Sequence, residues 1–354
     1  AVYACVCHRV VLLQRRLCIR ARTSITLWKL FAAFTVAEIV ILALLGMAAF
    51  EAVCHGLTTM STGGFSTRDA SVGGFGVPAF EWVIAIFMLI GSVNYGLYYL
   101  VLLGRKLSTI TRNVEFRAFV GIVVVSTALL TLLNLDLHPK PLDSLRYALF
   151  MVATTVSSTG YGTDDYALFG QAGLAIMLGL MFVGGCSGST AGGMKVERTV
   201  IVAKETLTEI RQSFAPSMVQ VVRLGSRVVS RPVLATVMTF FAVYLITIGA
   251  GAAIVATVDG VPLPSAFGAM LTCVSNMGPA PFHELAHMPD NFSQYSAVSK
   301  SVAVVAMLLG RLEFFTVLAL LLPEFSATRA STTPRSGTPS LPTLKRIPNA
   351  PPYP

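Results

Sequence analysis

Charge is what this sequence has least of. Asp, Glu, Lys and Arg make up 12% of its 354 residues, against about 25% in a soluble domain. Hydrophobic residues make up 54%, and mean hydropathy is +0.72. That deficit excludes an ordinary soluble domain and points to a chain surrounded by membrane lipid. Zinc-type cysteine spacing is also lacking. Cys5, Cys7, Cys18, Cys54, Cys186 and Cys273 are scattered, and Cys5-x-Cys7 alone makes no metal site. Aspartates within apolar runs are scarce as well. Gly160-Tyr161-Gly162-Thr163-Asp164 hints at an intramembrane aspartyl protease, but that chemistry needs two facing carboxylates. Asp164 is one residue out of the usual spacing and has no intramembrane partner, so no enzyme is expected and no covalent cofactor. The net charge of +9 does not signal nucleic acid, because the basic residues flank apolar spans, where they set orientation.

What is present is a series of apolar runs approaching the ~20 residues that cross a hydrocarbon core. They predict six spans: about 25–50, 80–103, 118–133, 168 to the glycines at 184, 233–258 and 299–322. Segments 1–29, 104–117, 195–231 and the C-terminal tail are strongly basic. Asp69, Asp136, Asp143, Asp164, Asp165, Asp259, Glu284 and Asp290 lie in the intervening loops. The positive-inside rule then puts both termini in the cytoplasm of a multi-pass cell-membrane protein. Residues 1–24 read as a basic cytoplasmic segment, since no small-residue cleavage site follows them. Residues 326–354, rich in Ser, Thr and Pro, read as disordered. Glu38, within the first span, should face protein because an acid is costly in lipid.

Three polar stretches interrupt this pattern, at 58–69, 154–165 and 272–281. Without a gap they align Thr58, Thr154 and Thr272; Ser61, Ser157 and Ser275; and Gly64, Gly160 and Gly278. Ala52, Ala148 and Ala266 precede the glycines at a constant distance. Internal repetition of this kind defines the architecture: an all-α integral membrane fold of span, short pore helix, glycine loop and span, used three times. All three loops fall on the outer side. The membrane repeats cover 25–103, 118–194 and 233–325, joined by cytoplasmic segments 104–117 and 195–232.

A cation leaving water needs its hydration shell replaced, and rings of backbone carbonyls do this. Glycine permits the backbone angles that turn successive carbonyls inward, and the C-terminal end of a short helix adds negative potential. The candidate filter residues are Thr62, Gly63, Gly64 and Phe65; Ser158, Thr159, Gly160, Tyr161 and Gly162; and Asn276, Met277, Gly278 and Pro279. A second glycine loop, 184–195, contains Gly184, Gly185, Gly188, Gly192 and Gly193 and ends at Lys195. At roughly 1 kcal/mol per glycine relative to alanine, it cannot continue a helix. Breaks at membrane depth mark ion or substrate paths, so 184–195 is the candidate gate. Close helix packing through small residues is the competing explanation. Arg311, in the sixth apolar run, either pairs with a carboxylate such as Glu313 or projects toward the pore. His283 and His287 are read as surface residues.

These residues resemble a family. Ser157-Ser158-Thr159-Gly160-Tyr161-Gly162 looks like the filter loop of the Trk/Ktr/HKT potassium transporters. The glycine loop 184–195 and Gly310-Arg311-Leu312-Glu313 are similar to motifs of its TrkH-like branch, over roughly 30–325. The resemblance implies a pseudo-four-fold pore of four such repeats, with K+ as the transported ion. It also implies a homodimer, a cytoplasmic nucleotide-binding regulatory subunit, and Arg311 near the pore below the filter. Glycine at positions 64, 160 and 278 goes with potassium preference in that family, while Ala280 replaces a usual second glycine. Potassium uptake is the expected function; a secondary transporter with broken helices is the alternative, disfavoured because the repeats share one orientation. Only three of four repeats are found: no glycine precedes Gly46. The expectation is therefore a fragment lacking the first repeat.

Overall fold

The computed structural model describes residues 24–102, 104, 108–138, 140–163, 169–215, 221–225, 227–278, 292–312 and 314–321. The chain divides into a unit Ala1–Phe314 and a second, Phe315–Pro354.

The first repeat begins with α1, Ser24–Leu44. It does not run to residue 50 as its hydropathy predicts. Gly46 adopts φ +101° and closes the helix with bonds from Gly46 N to Ala43 O (3.0 Å) and Met47 N to Leu42 O (3.1 Å). A glycine in this conformation ends a helix at no steric cost, and Ala48–Ala49 start the next one. That helix, α2 (Ala49–Met60), is the first pore helix, followed by a 3-10 turn at Ser71–Phe75.

The expected second span, 80–103, is broken. Helix α3 (Pro78–Ser92) and helix α4 (Tyr95–Leu102) meet at an 85° bend. No proline causes it. Asn94 Oδ1 accepts from Gly96 N at 2.8 Å, and the distant loop 184–195 takes up freed backbone groups on both sides of the break. After α5 (Ser108–Thr111), the second repeat comprises α6 (Val114–Leu133), α7 (Pro141–Ser157) and α8 (Gly170–Val183). Asn113 caps α6 by accepting from Phe116 N at 3.0 Å, as N-cap residues do.

The segment expected as a plain cytoplasmic linker holds a 19-residue helix, α9 (Val196–Phe214), and an antiparallel hairpin, β1 (Arg223–Leu224) and β2 (Arg227–Val228), with Arg223 opposite Val228. The third repeat contains α10 (Arg231–Asp259), α11 (Leu263–Ser275) and α12 (Ala297–Arg311), and α13 (Phe314–Leu321) follows. The sixth predicted span is thus also interrupted, near residue 312. Among the described residues three helices are long and apolar enough to cross a membrane, or four with the bent pair counted as one span. Six continuous spans were expected; the difference lies in the breaks.

Each repeat centres a core that a neighbouring repeat helps to fill, as Phe150 and Tyr161 do for the first. Leu42, Ala52, Ile84 and Met88 pack together in the first; Phe119, Leu130, Val152 and Met177 in the second; Tyr244, Ile248, Met270 and Val274 in the third. The second and third pore helices end in fully enclosed segments. Every residue from Phe150 to Ser157 of α7 is buried, as is every residue from Gly268 to Ser275 of α11. Pore-helix hydroxyls survive burial by bonding back one turn: Thr155 Oγ1 donates to Met151 O at 2.6 Å, Thr272 Oγ1 to Gly268 O at 2.8 Å and Thr59 Oγ1 to His55 O at 2.7 Å. Helices carrying Thr and Ser through an apolar interior satisfy them this way. A buried ion pair, Arg146 Nε to Glu81 Oε2 at 3.0 Å, ties α7 to α3.

Candidate functional site

The three pore helices end identically. Thr62 N donates to Thr59 O (3.0 Å) and Gly63 N to Thr58 O (2.7 Å). Ser158 N donates to Thr155 O and Thr159 N to Thr154 O, both 3.1 Å. Asn276 N donates to Cys273 O (3.2 Å) and Met277 N to Thr272 O (3.0 Å). This paired 5→2 and 6→1 bonding is the Schellman motif, which needs a left-handed residue after the helix. That residue is Thr62 (φ 55°), Ser158 (φ 56°) and Asn276 (φ 55°). None is glycine, and a left-handed conformation costs such residues of order 1 kcal/mol or more each. The Thr-x-x-Ser-x-x-Gly register therefore marks one strained backbone turn made three times.

The loops after these turns lie side by side. Gly64 has φ +67°, and a Cβ placed there would stand 1.9 Å from Thr159 O. One placed on Gly278 would lie 3.4 Å from Gly160 O. The order around the site is 64, 160, 278. Gly160 N donates to Thr154 Oγ1 at 3.0 Å, and Thr159 Oγ1 pairs with Ser157 Oγ at 2.6 Å. Gly162 N donates to Ser71 Oγ at 3.2 Å. Its carbonyl accepts from Gly73 N at 3.1 Å, so the second loop is sewn to the first repeat. The Tyr161 side chain does not line an opening. It is fully buried, with its hydroxyl 2.5 Å from Thr58 Oγ1 and donating to His55 O at 3.3 Å. Phe65 is exposed; Met277 is buried in the third core. Pro279 lies outside the described residues, as do Asp164, Asp165, Ala280, His283, His287 and Glu313.

Beneath the loops lies 184–195, non-helical throughout. Its tip meets the end of every pore helix. Thr190 O accepts from Thr62 Oγ1 at 2.9 Å. Gly192 N donates to Ser158 Oγ at 2.7 Å. A Cβ on Gly192 would fall 2.1 Å from Ser275 O, so only glycine allows that approach. Two of the strained residues, Thr62 and Ser158, are those the tip bonds. Gly184 and Gly193 pack on each other, a Cβ on either lying 3.0 Å from the other's Cα. Gly188 contacts Asn94 at the α3–α4 break. Cys186 N donates to Ser92 O at 2.9 Å, and Tyr95 N to Gly188 O at 3.3 Å. Those bonds supply the partners that the bent helix would otherwise lack.

Two cations hold the tip. Arg311 Nη1 donates to Thr190 O at 3.2 Å, and Lys195 Nζ donates to Ala191 O. Arg311 is not in mid-helix, as its position in an apolar run implied. It occupies the last turn of α12, followed by Leu312 as C-cap, where the helix dipole favours a cation. A cavity of about 350 Å³ below the tip has Lys195, Arg198, Gly310 and Arg311 in its wall. Glu38, read as needing a protein environment, is completely buried, beside Thr59 of the first pore helix.

Sequence reasoning placed the glycines of 184–195 but missed Thr190 and Ala191, whose carbonyls the cations engage. It also missed the Glu81–Arg146 pair and the anchoring role of the Tyr161 side chain. Only tertiary contacts reveal them, although Glu81 at the start of a predicted span and Arg146 in the second polar segment, opposite charges expected on the same side, were a usable signal.

The TrkH family, described as a cation transport protein, matches residues 19–326. The Trk system potassium uptake protein TrkH of Salmonella typhimurium strain LT2 is 38% identical over 310 residues, covering 86% of this chain and 62% of that protein. The Trk system potassium uptake protein TrkG of Escherichia coli strain K12 is 32% identical over 306 residues, covering 85% and 61%. The crystal structure of the potassium transporter TrkH from Vibrio parahaemolyticus superposes with a TM-score of 0.80 at 31% identity, covering 86% of this chain and 65% of that one. The chain thus spans somewhat less than two thirds of the length of these relatives. With the repeated turns, the serial loop contacts and the glycine loop beneath them, these matches place it: the chain belongs to the TrkH cation transport protein family.

Proposed function

We propose that these residues form three quarters of a carbonyl-lined pore through which K+ enters the cell, with a fourth filter segment from outside them closing the ring. The observation that carries this reading is the thrice-repeated Schellman turn, with Gly64, Gly160 and Gly278 in serial backbone contact. Each pore helix then directs its partly negative C-terminal end toward one shared space. Carbonyls among residues 62–65, 158–161 and 276–278 are the ones we assign to replace the hydration shell. Loop 184–195 is the gate, held across the path by Arg311 and Lys195. Non-helical backbone at membrane depth is tolerated where it is enclosed by protein or lines a watery path, and the contacts of 190–192 with all three pore-helix ends support that reading.

The names of the relatives as Trk system uptake proteins support the ion and the direction. The word system in those names supports association with further subunits; by family resemblance the partner we propose is a cytoplasmic nucleotide-binding regulatory subunit that meets α9 and the hairpin, with two copies of the membrane subunit together. The distribution of basic segments supports the same reading with both ends of these residues on the cytoplasmic side.

The test is Rb+ and K+ uptake by a bacterial host lacking its own potassium uptake systems. Expression of these residues together with a segment that supplies the fourth filter restores growth at low K+, and rigid cross-linking of the loop between 184 and 193 abolishes uptake. Uptake that persists at the same rate after cross-linking would remove the gate from this reading. Absence of K+ or Rb+ flux in vesicles reconstituted with the four-segment pore would remove the pore.

A further inference from the structure

Both ends of the glycine loop meet one side chain at the start of α6, some seventy residues earlier in the chain. Glu115, in the first turn of α6, accepts through Oε1 from the backbone N–H of Ser187, just inside the loop. The backbone N–H of Glu197, just past the loop, also acts on this carboxyl, and Lys195 and Glu197 are the charged side chains facing it. Glu115 is buried, at 6% exposure. The neck of the loop is closed as well by Val196 N donating to Gly185 O at 2.9 Å. Beside the carboxyl is a polar cavity of about 500 Å³ bounded by Asn94, Arg112, Glu197 and the hairpin residues Leu224 and Gly225.

The hairpin reaches this place through α9. Lys204 Nζ on α9 donates to Arg223 O at 2.8 Å, and a Cβ on Gly225 would lie 3.0 Å from Val114 Cγ2, one residue from Glu115. The chain therefore runs from the loop to α9, to the hairpin, and back to the residue that grips the loop. A carboxylate accepting backbone N–H bonds makes the stronger, charge-assisted kind of hydrogen bond. Neither an ion path nor a packing core requires an acid at this point.

We propose that Glu115 is a positioning residue for the gate: its carboxylate clips the two ends of loop 184–195 together and so holds the Thr190–Gly192 tip across the pore. This rests on the reading of 184–195 as the gate. Glu115 touches no conducted ion. It acts on the loop from behind, at a junction the cytoplasmic segment also reaches, so displacement of the hairpin slackens the clip and frees the tip.

Cys186 offers a readout independent of flux. It is fully buried and free, and it adjoins Ser187. In protein with its other cysteines replaced by serine, a small thiosulfonate reagent should modify Cys186 slowly. Glu115→Ala should raise that rate about tenfold, as expected for loss of a hydrogen bond to a charged group. It should also raise Rb+ uptake without changing KM. Glu115→Gln keeps the volume and one acceptor oxygen, and should give a smaller rise in both. If Glu115→Ala does not reach the membrane, Glu115→Gln carries the test. Wild-type modification rates in the variants overturn the clip. Faster modification with wild-type flux upholds the clip and instead overturns the assignment of the loop as the gate.

Discussion

Replacing Gly64 with alanine separates backbone strain from loop contact. At φ +67°, an L-residue costs about 1–2 kcal/mol. The added Cβ would also stand 1.9 Å from Thr159 O and 2.9 Å from Thr159 C, where ordinary contact is about 3.5 Å or more. Both atoms are backbone, so no side chain can swing aside, and overpacking of this type costs about 1–3 kcal/mol. The total is about 2–5 kcal/mol from these two terms. Gly76 provides the control, since it has φ +63° and a methyl added there would meet nothing within 4 Å. Gly76→Ala should therefore cost only the conformational part, about 1–2 kcal/mol. Thermal unfolding of the purified protein measures the difference, and Rb+ uptake in competition with Na+ measures its consequence. Gly64→Ala should unfold at lower temperature than Gly76→Ala and lose discrimination between the ions, because the second filter loop must move to admit the methyl. Equal stability and equal selectivity in the two variants would refute the direct contact between loops, and with it the serial arrangement of the filter.

Arg311→Gln removes the charge but keeps a donor. It should raise the uptake rate while leaving thermal stability within about 1 kcal/mol of the parent, as expected for a side chain with little buried surface; a large loss of stability with unchanged flux would make Arg311 structural. Glu81→Gln leaves Arg146 with only the more exposed Asp143 as carboxylate partner, at 3.3 Å, and should destabilise the protein toward the lower end of the about 3–5 kcal/mol of a broken buried pair, with Glu81→Leu/Arg146→Met recovering much of it. Equal destabilisation by the single and double variants, in the same unfolding assay, would contradict a coupled pair. Tyr161→Phe removes the hydroxyl 2.5 Å from Thr58 Oγ1. It should cost about 1 kcal/mol for the hydrogen bond and weaken ion discrimination more than protein yield, read out by Rb+ and Na+ uptake; unchanged selectivity would show that the second loop needs no anchor on the first pore helix.

Hydropathy located every apolar run, because burial in lipid demands it at nearly every position. The repeated Thr-x-x-Ser-x-x-Gly register was equally legible. It encodes a local turn whose hydrogen bonds join residues no more than five apart, so the pattern in Thr58, Thr154 and Thr272 translates directly into backbone. The glycine loop declared itself non-helical for the same local reason. The α9 helix was legible but overlooked: Val196, Val200 and Ile201 recur at helical spacing within a segment that stands out for its charge.

The breaks in the spans belong to another class. Nothing near Asn94 forbids a helix, and the 85° bend is stable because Cys186 and Gly188, nearly a hundred residues on, supply partners for Ser92 O and Tyr95 N. Arg311 likewise reads as a misplaced charge until Thr190 O is brought to it. Local pattern determined where membrane helices, sharp turns and flexible glycines occur, since propensity, hydropathy and short-range hydrogen bonding act within a few residues. The tertiary structure decided which loop lies beneath which turn and which carbonyl Arg311 caps. Those choices depend on backbone groups meeting across repeats, and no spacing along the chain records such a meeting.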